Sequence, residues 1–81
     1  MQILLNNFGI NFDLVQSYSI VVKNNNQTGM AEYGVQFIFT DKAAIKVAFK
    51  TREECESFLG KIQKAVLEEK KVLDLTSSKQ N

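Results

Sequence analysis

At 81 residues, with 44% hydrophobic and 23% charged side chains, the chain is composed for one folded domain with a small core, and its composition excludes wholesale disorder. Ten basic against nine acidic residues leave a net charge of +1, which provides no long-range attraction to nucleic acid or to an anionic membrane. A single cysteine cannot form an internal disulfide, Met1 to Leu5 lacks the basic start and apolar length of a signal peptide, and no stretch approaches the ~20 apolar residues of a membrane span; the expectation is a soluble, cytoplasmic protein.

In chain order, Ile3 and Leu5 fall in phase with Phe8, Ile10 and Phe12 if Asn6-Asn7 makes a two-residue hairpin turn, since asparagine tolerates the positive φ such turns need. One long bent strand from Gln2 to Asp13 would keep the same residues inward. Asp13 to Ser17 reads as a connection. Tyr18, Ile20 and Val22 then alternate with Ser19, Val21 and Lys23 in the next strand, which stops at the polar loop Asn24 to Gly29.

Glu32 to Thr40 is the central stretch: Tyr33, Val35, Phe37 and Phe39 point to one side and Gly34, Gln36 and Ile38 to the other. A turn at Asp41-Lys42-Ala43 leads to Ile45, Val47 and Phe49, alternating with Lys46, Ala48 and Lys50. Matching faces require an odd-length loop, and the register taken pairs Phe39 with Ile45, Phe37 with Val47 and Val35 with Phe49. The chain's eight aromatic residues, Phe8, Phe12, Tyr18, Tyr33, Phe37, Phe39, Phe49 and Phe58, all fall on the inward phase.

Thr51-Arg52-Glu53-Glu54 is a capping box, and Cys55, Phe58, Leu59, Ile62, Ala65 and Val66 recur at helical spacing to form one apolar stripe. The expected fold is α+β: an antiparallel meander of about five strands with one C-terminal helix across one face, a single domain over residues 1–75 with 76–81 as a frayed tail. Continued past Val66, the stripe meets Glu69 and then Val72, Leu73 and Leu75. A helix from Thr51 to Leu73 would run about 34 Å, longer than a typical strand, so its end is expected to overhang.

No nucleophile, base and orienting group come together, there is no histidine, and Cys55 sits on the apolar stripe as a core residue. The carboxylates are scattered over strand ends and helix, so neither a metal site nor a cofactor is expected, and the chain reads as non-enzymatic. Two apolar sets are left over: Leu67, Val72, Leu73 and Leu75 near the helix end, with Gly60 on the same face as Leu67, and Leu4, Val21, Ile38 and Ala48 on the open sheet face. Together they point to an interface with a second copy, a homodimer, or with another protein.

In order of elements, strands followed by a C-terminal helix resemble the single-stranded nucleic-acid binders of the Pur-repeat and transcription-positive-cofactor type. That resemblance implies binding on the sheet face away from the helix, here through Lys23, Gln36, Lys46 and Lys50 with the Asn24 to Asn26 loop. Those families place basic and aromatic residues on that face, whereas every aromatic here is inward. A protein-interaction module, homodimeric, is therefore the leading expectation and nucleic-acid binding the alternative; a small molecule held between protomers is a third.

Overall fold

The computed structural model describes residues 1–76. β1 (Gln2–Leu4) and β2 (Gly9–Asn11) form the N-terminal hairpin. The expected asparagine turn is there: Ile3 pairs with Ile10, and the Leu5 amide donates to the Phe8 carbonyl at 2.9 Å. Both isoleucines are buried while their strand neighbours are exposed, as a strand with one covered face requires. A 3-10 turn over Phe12–Leu14, closed by the Asn11 side-chain oxygen accepting from the Asp13 amide, then redirects the chain. β3 (Val15–Asn24) begins earlier than the sequence suggested, because a bulge between Val15 and Ser17 brings the expected connection into the ladder.

β4 (Ala31–Phe39) lies between β3 and β5 (Ala44–Phe49) in an antiparallel sheet. The strand phases are as expected, but the β4–β5 register is displaced by two residues: Tyr33 pairs with Phe49, Val35 with Val47 and Phe37 with Ile45. The turn keeps the assumed three-residue length but is set one residue earlier, over Thr40, Asp41 and Lys42 between Phe39 and Ala43. Phe39 accepts from the Lys42 amide and donates to Ala43, Lys42 sits in the left-handed region at φ 75°, and the Asp41 carboxylate accepts from the Ala43 amide. A shift of two leaves every side chain on its own face, so the hydrophobic pattern does not oppose it.

The helix α1 (Arg52–Leu67) starts at the expected capping box. Thr51 Oγ accepts from the Glu54 amide at 3.1 Å, and Glu54 Oε1 accepts from the Thr51 and Lys50 amides at 3.2 and 2.9 Å. Thr51→Ala is expected to cost ~0.5 to 2 kcal/mol in denaturant unfolding, and Thr51→Ser to be nearly neutral; because Thr51 is exposed, equal losses from both would show that the cap is not the source. Cys55, Phe58, Ile62 and Ala65 are the buried face, and burial pushes the Cys55 thiol pKa up, as expected of a core cysteine.

The overhanging helix is corrected. α1 ends at Leu67, where Glu69 adopts φ 55°, the Glu69 amide donates to Val66 and the Lys70 amide to Ala65, closing the helix in a Schellman turn. The stripe position due after Ala65 is Glu69, whose charge has no place against a core. Leu73 and Leu75 are then read by a different period. They belong to β6 (Val72–Asp74) and its extension, which runs parallel to β1 with Leu73 beside Ile3 and the Leu75 amide donating to Leu4. The strands therefore divide into two three-stranded sheets, β3-β4-β5 and β2-β1-β6, and the helix covers a core shared by both: Ile3, Ile10, Val35, Phe37, Cys55, Phe58 and Ile62. The α+β class with a C-terminal helix on the sheets stands, with a sixth strand added. Residues 77–81 of the expected tail lie outside the described residues; Thr76 is tied back by its amide and hydroxyl to the Asp74 carboxylate.

Candidate interaction surface

The outer face of β3-β4-β5 is set by register. Ser17, Ile38 and Ala44 form one row, Ser19, Gln36 and Lys46 the next, and Val21, Gly34 and Ala48 a third, with Lys23 opposite Glu32 at the end. Val21, Gln36 and Ile38 are half-buried, while Lys23, Lys46, Ala48 and Lys50 are exposed. Gly34 is buried because Lys46 lies across it: a Cβ built there would stand 3.1 Å from the Lys46 stem and 3.1 Å from the Val47 carbonyl. The apolar residues of this face are thus interrupted by a polar row and do not make one patch.

The helix-end set is divided differently. Leu67 is 83% exposed, and Val66 and Val72 are each about half exposed, on either side of the closing turn. Leu73 and Leu75, counted in the same set from the sequence, instead pack against the protein's own core. Leu4 is partly exposed on the outer side of β1.

A groove of 810 Å³ lies where the two sheets fail to meet. Its first wall is the edge strand β5, through Val47, Ala48 and Phe49. The helix forms the second through Glu54, Ser57, Phe58 and Lys61, and the hairpin turn from Leu5 to Phe8 with Asp74 to Thr76 closes the far side. Phe8 is 42% exposed into this space, the one aromatic of the inward set that no element covers. The Phe39–Ala43 bond fixes which β5 groups face β4: in an antiparallel ladder the bonded residues alternate, so Ile45, Val47 and Phe49 bond to β4, and the amides and carbonyls of Ala44, Lys46 and Ala48 point away from it. Both groove carboxylates are engaged, Glu54 by the cap and Asp74 by Thr76, whose hydrogen bonds hold the Asp74 pKa below the ordinary carboxylate value. Lys61 has no carboxylate within ion-pair distance among the described residues.

Sequence reasoning missed this groove. Its one available signal was Phe8, in phase with the core yet next to a turn at the end of a short hairpin. Among the described residues no group of three or more histidine, cysteine or carboxylate side chains is placed to hold a metal ion, and no helix is long and apolar enough to cross a membrane. Comparison with protein-family models, with curated proteins and with solved structures finds no match to this chain.

Proposed function

We propose that this chain is a small, non-enzymatic protein-interaction module that works as a homodimer. The observation that supports this reading is the exposure of Val66, Leu67 and Val72 around the closing turn of the helix. Leu67 stands with 83% of its surface in water on a domain whose own core is small, and a twofold interface would cover it with additional apolar surface. Val72 on the edge strand β6 is also exposed, and on this reading helix end and strand edge both contribute to the contact. The double change Leu67→Lys with Val72→Lys is expected to shift the light-scattering mass from dimer to monomer at unchanged thermal midpoint of the monomer fold. A wild-type protein that stays monomeric at high micromolar concentration would sink the dimer.

A second reading, binding of single-stranded nucleic acid, is favoured by the placement of Lys23, Gln36 and Lys46 on one open sheet face, with Lys50 exposed just past the end of β5. Glu32 opposes Lys23 there, and no aromatic ring is available for base stacking on that face. A labelled oligonucleotide titrated at two salt concentrations separates the readings, since binding through lysines weakens steeply with salt.

A further inference from the structure

We propose that two copies hold each other by exchanging their C-terminal strands: β6 of each copy lies beside β1 of the other, in the place that its own β6 takes within the single chain. The inference rests on the homodimer reading and states how the dimer is joined. What fills the β1 edge is known, since it is β6 itself: Leu73 pairs with Ile3, the Gln2 amide donates to Lys71 at 2.9 Å, and the Leu75 amide donates to Leu4 at 2.9 Å. Leu73 and Leu75 pack against the core from there. A second copy offers the same segment with the same contacts, so exchange needs no surface that the chain does not already possess.

The hinge favours the exchange. Among the described residues β6 is the last element, a short edge strand with β1 as its one ladder partner, and Glu68 to Lys71 join it to α1. To return β6 to its own β1 the chain reverses at Glu69 with φ 55°, a left-handed conformation that disfavours a side chain and that glycine ordinarily supplies at a helix end. Glu68, Glu69, Lys70 and Lys71 are instead all good helix formers. Beyond its two backbone bonds, from the Glu69 amide to Val66 and from the Lys70 amide to Ala65, the turn gains an exposed Lys70–Glu68 ion pair at 3.6 Å, which contributes little in water. An opened hinge releases Glu69 to an ordinary φ and carries β6 away from its own β1; a short hinge under strain is the condition under which terminal strands are exchanged. In the exchanged pair the two hinges cross near the twofold axis, and Val66 and Leu67, exposed on the last turn before the hinge, are covered beside that crossing.

Leu4 and Asp74 are exposed ladder partners on β1 and β6, so cysteines at both positions lie within disulfide reach. The double variant Leu4→Cys with Asp74→Cys is refolded under reductant, oxidised and run on a denaturing, non-reducing gel. Exchange puts the bond between chains and gives a band with the mass of two, whereas the closed fold puts it within one chain. Cys55 is buried and stays out of the reaction. Glu69→Gly removes the disfavoured φ from the closed turn of both copies and is expected to raise the dimer dissociation constant about tenfold or more, read by light scattering over a concentration series. Glu69→Ala keeps the side-chain clash and is expected to leave that constant unchanged. Glu69 is exposed, so this arm stands even if the cysteine variant fails to fold. A dimeric protein whose oxidised variant runs as one chain overturns the exchange and leaves a side-by-side dimer standing, and equal constants for Glu69→Gly and Glu69→Ala overturn it as well. A monomeric wild type overturns exchange and dimer together. If Leu67→Lys with Val72→Lys leaves the mass unchanged while the two-chain band persists, the exchange stands and the exposed side chains are not what joins the dimer.

Discussion

Phe37→Ala is expected to abolish cooperative folding. The ring is fully buried on the central strand, with the Tyr18 and Phe58 ring centroids each 6.1 Å away, and it faces Ile45 across the ladder. It connects sheet to helix within a chain of ring contacts running Phe12, Tyr18, Phe37, Phe58, Phe49. Truncating such a ring costs ~3 to 5 kcal/mol through lost transfer energy and the cavity left behind. A domain of this size has a total stability of roughly 5 kcal/mol, so little or none remains. Urea unfolding followed by near-ultraviolet circular dichroism reads the effect directly. A variant with a preserved sigmoidal transition and an unchanged midpoint would place Phe37 outside the core.

Ile3→Ala should be the next most damaging change, by ~2 to 5 kcal/mol, with Ile3→Val costing only ~0.5 to 1.5 kcal/mol. Ile3 is fully buried at the middle of β1, between Ile10 on one neighbour and Leu73 on the other, and it belongs to the same core cluster as Phe37 and Ile62. Its loss therefore weakens both the second sheet and the floor under the helix. If the two sheets form one cooperative unit, Ile3→Ala shifts fluorescence and circular-dichroism transitions together. Separate transitions, with β3-β4-β5 melting at the wild-type midpoint, would refute that shared core.

The faces of the strands were legible because period-2 alternation is a local property, and the capping box was legible because its hydrogen bonds lie within one turn. The β4–β5 register was not, since Lys42 takes a left-handed conformation usually left to glycine or asparagine and so sets the turn one residue earlier, in a segment that carries neither. A displacement of two is silent to hydrophobic patterning. The helix end was misread for a related reason: Leu73 lies at helical spacing from Glu69 and Val66, but Leu73 and Leu75 also alternate with Val72 and Asp74, and Glu69 on the buried stripe decides between the two periods. That Leu73 and Leu75 are inward removes them from the exposed set and leaves Leu67 and Val72. Division into two sheets was beyond the sequence, because periodicity says which way a side chain points and not which neighbour its backbone finds. The groove inherits that limit, being made by the meeting of β5, the hairpin turn and the helix.

The parallel pair of β1 with β6 joins residues 2–4 to residues 72–74, so its closure entropy must be met across nearly the whole described chain. The β4–β5 hairpin and α1 can order from neighbours alone, whereas β2-β1-β6 gains its third strand only after the helix has turned back at Glu69. During synthesis the β1-β2 hairpin precedes β6, so it keeps one edge unpaired until the strands and helix between them have been made. Such long-range pairing raises the mean sequence separation of contacts, the property with which slower folding goes.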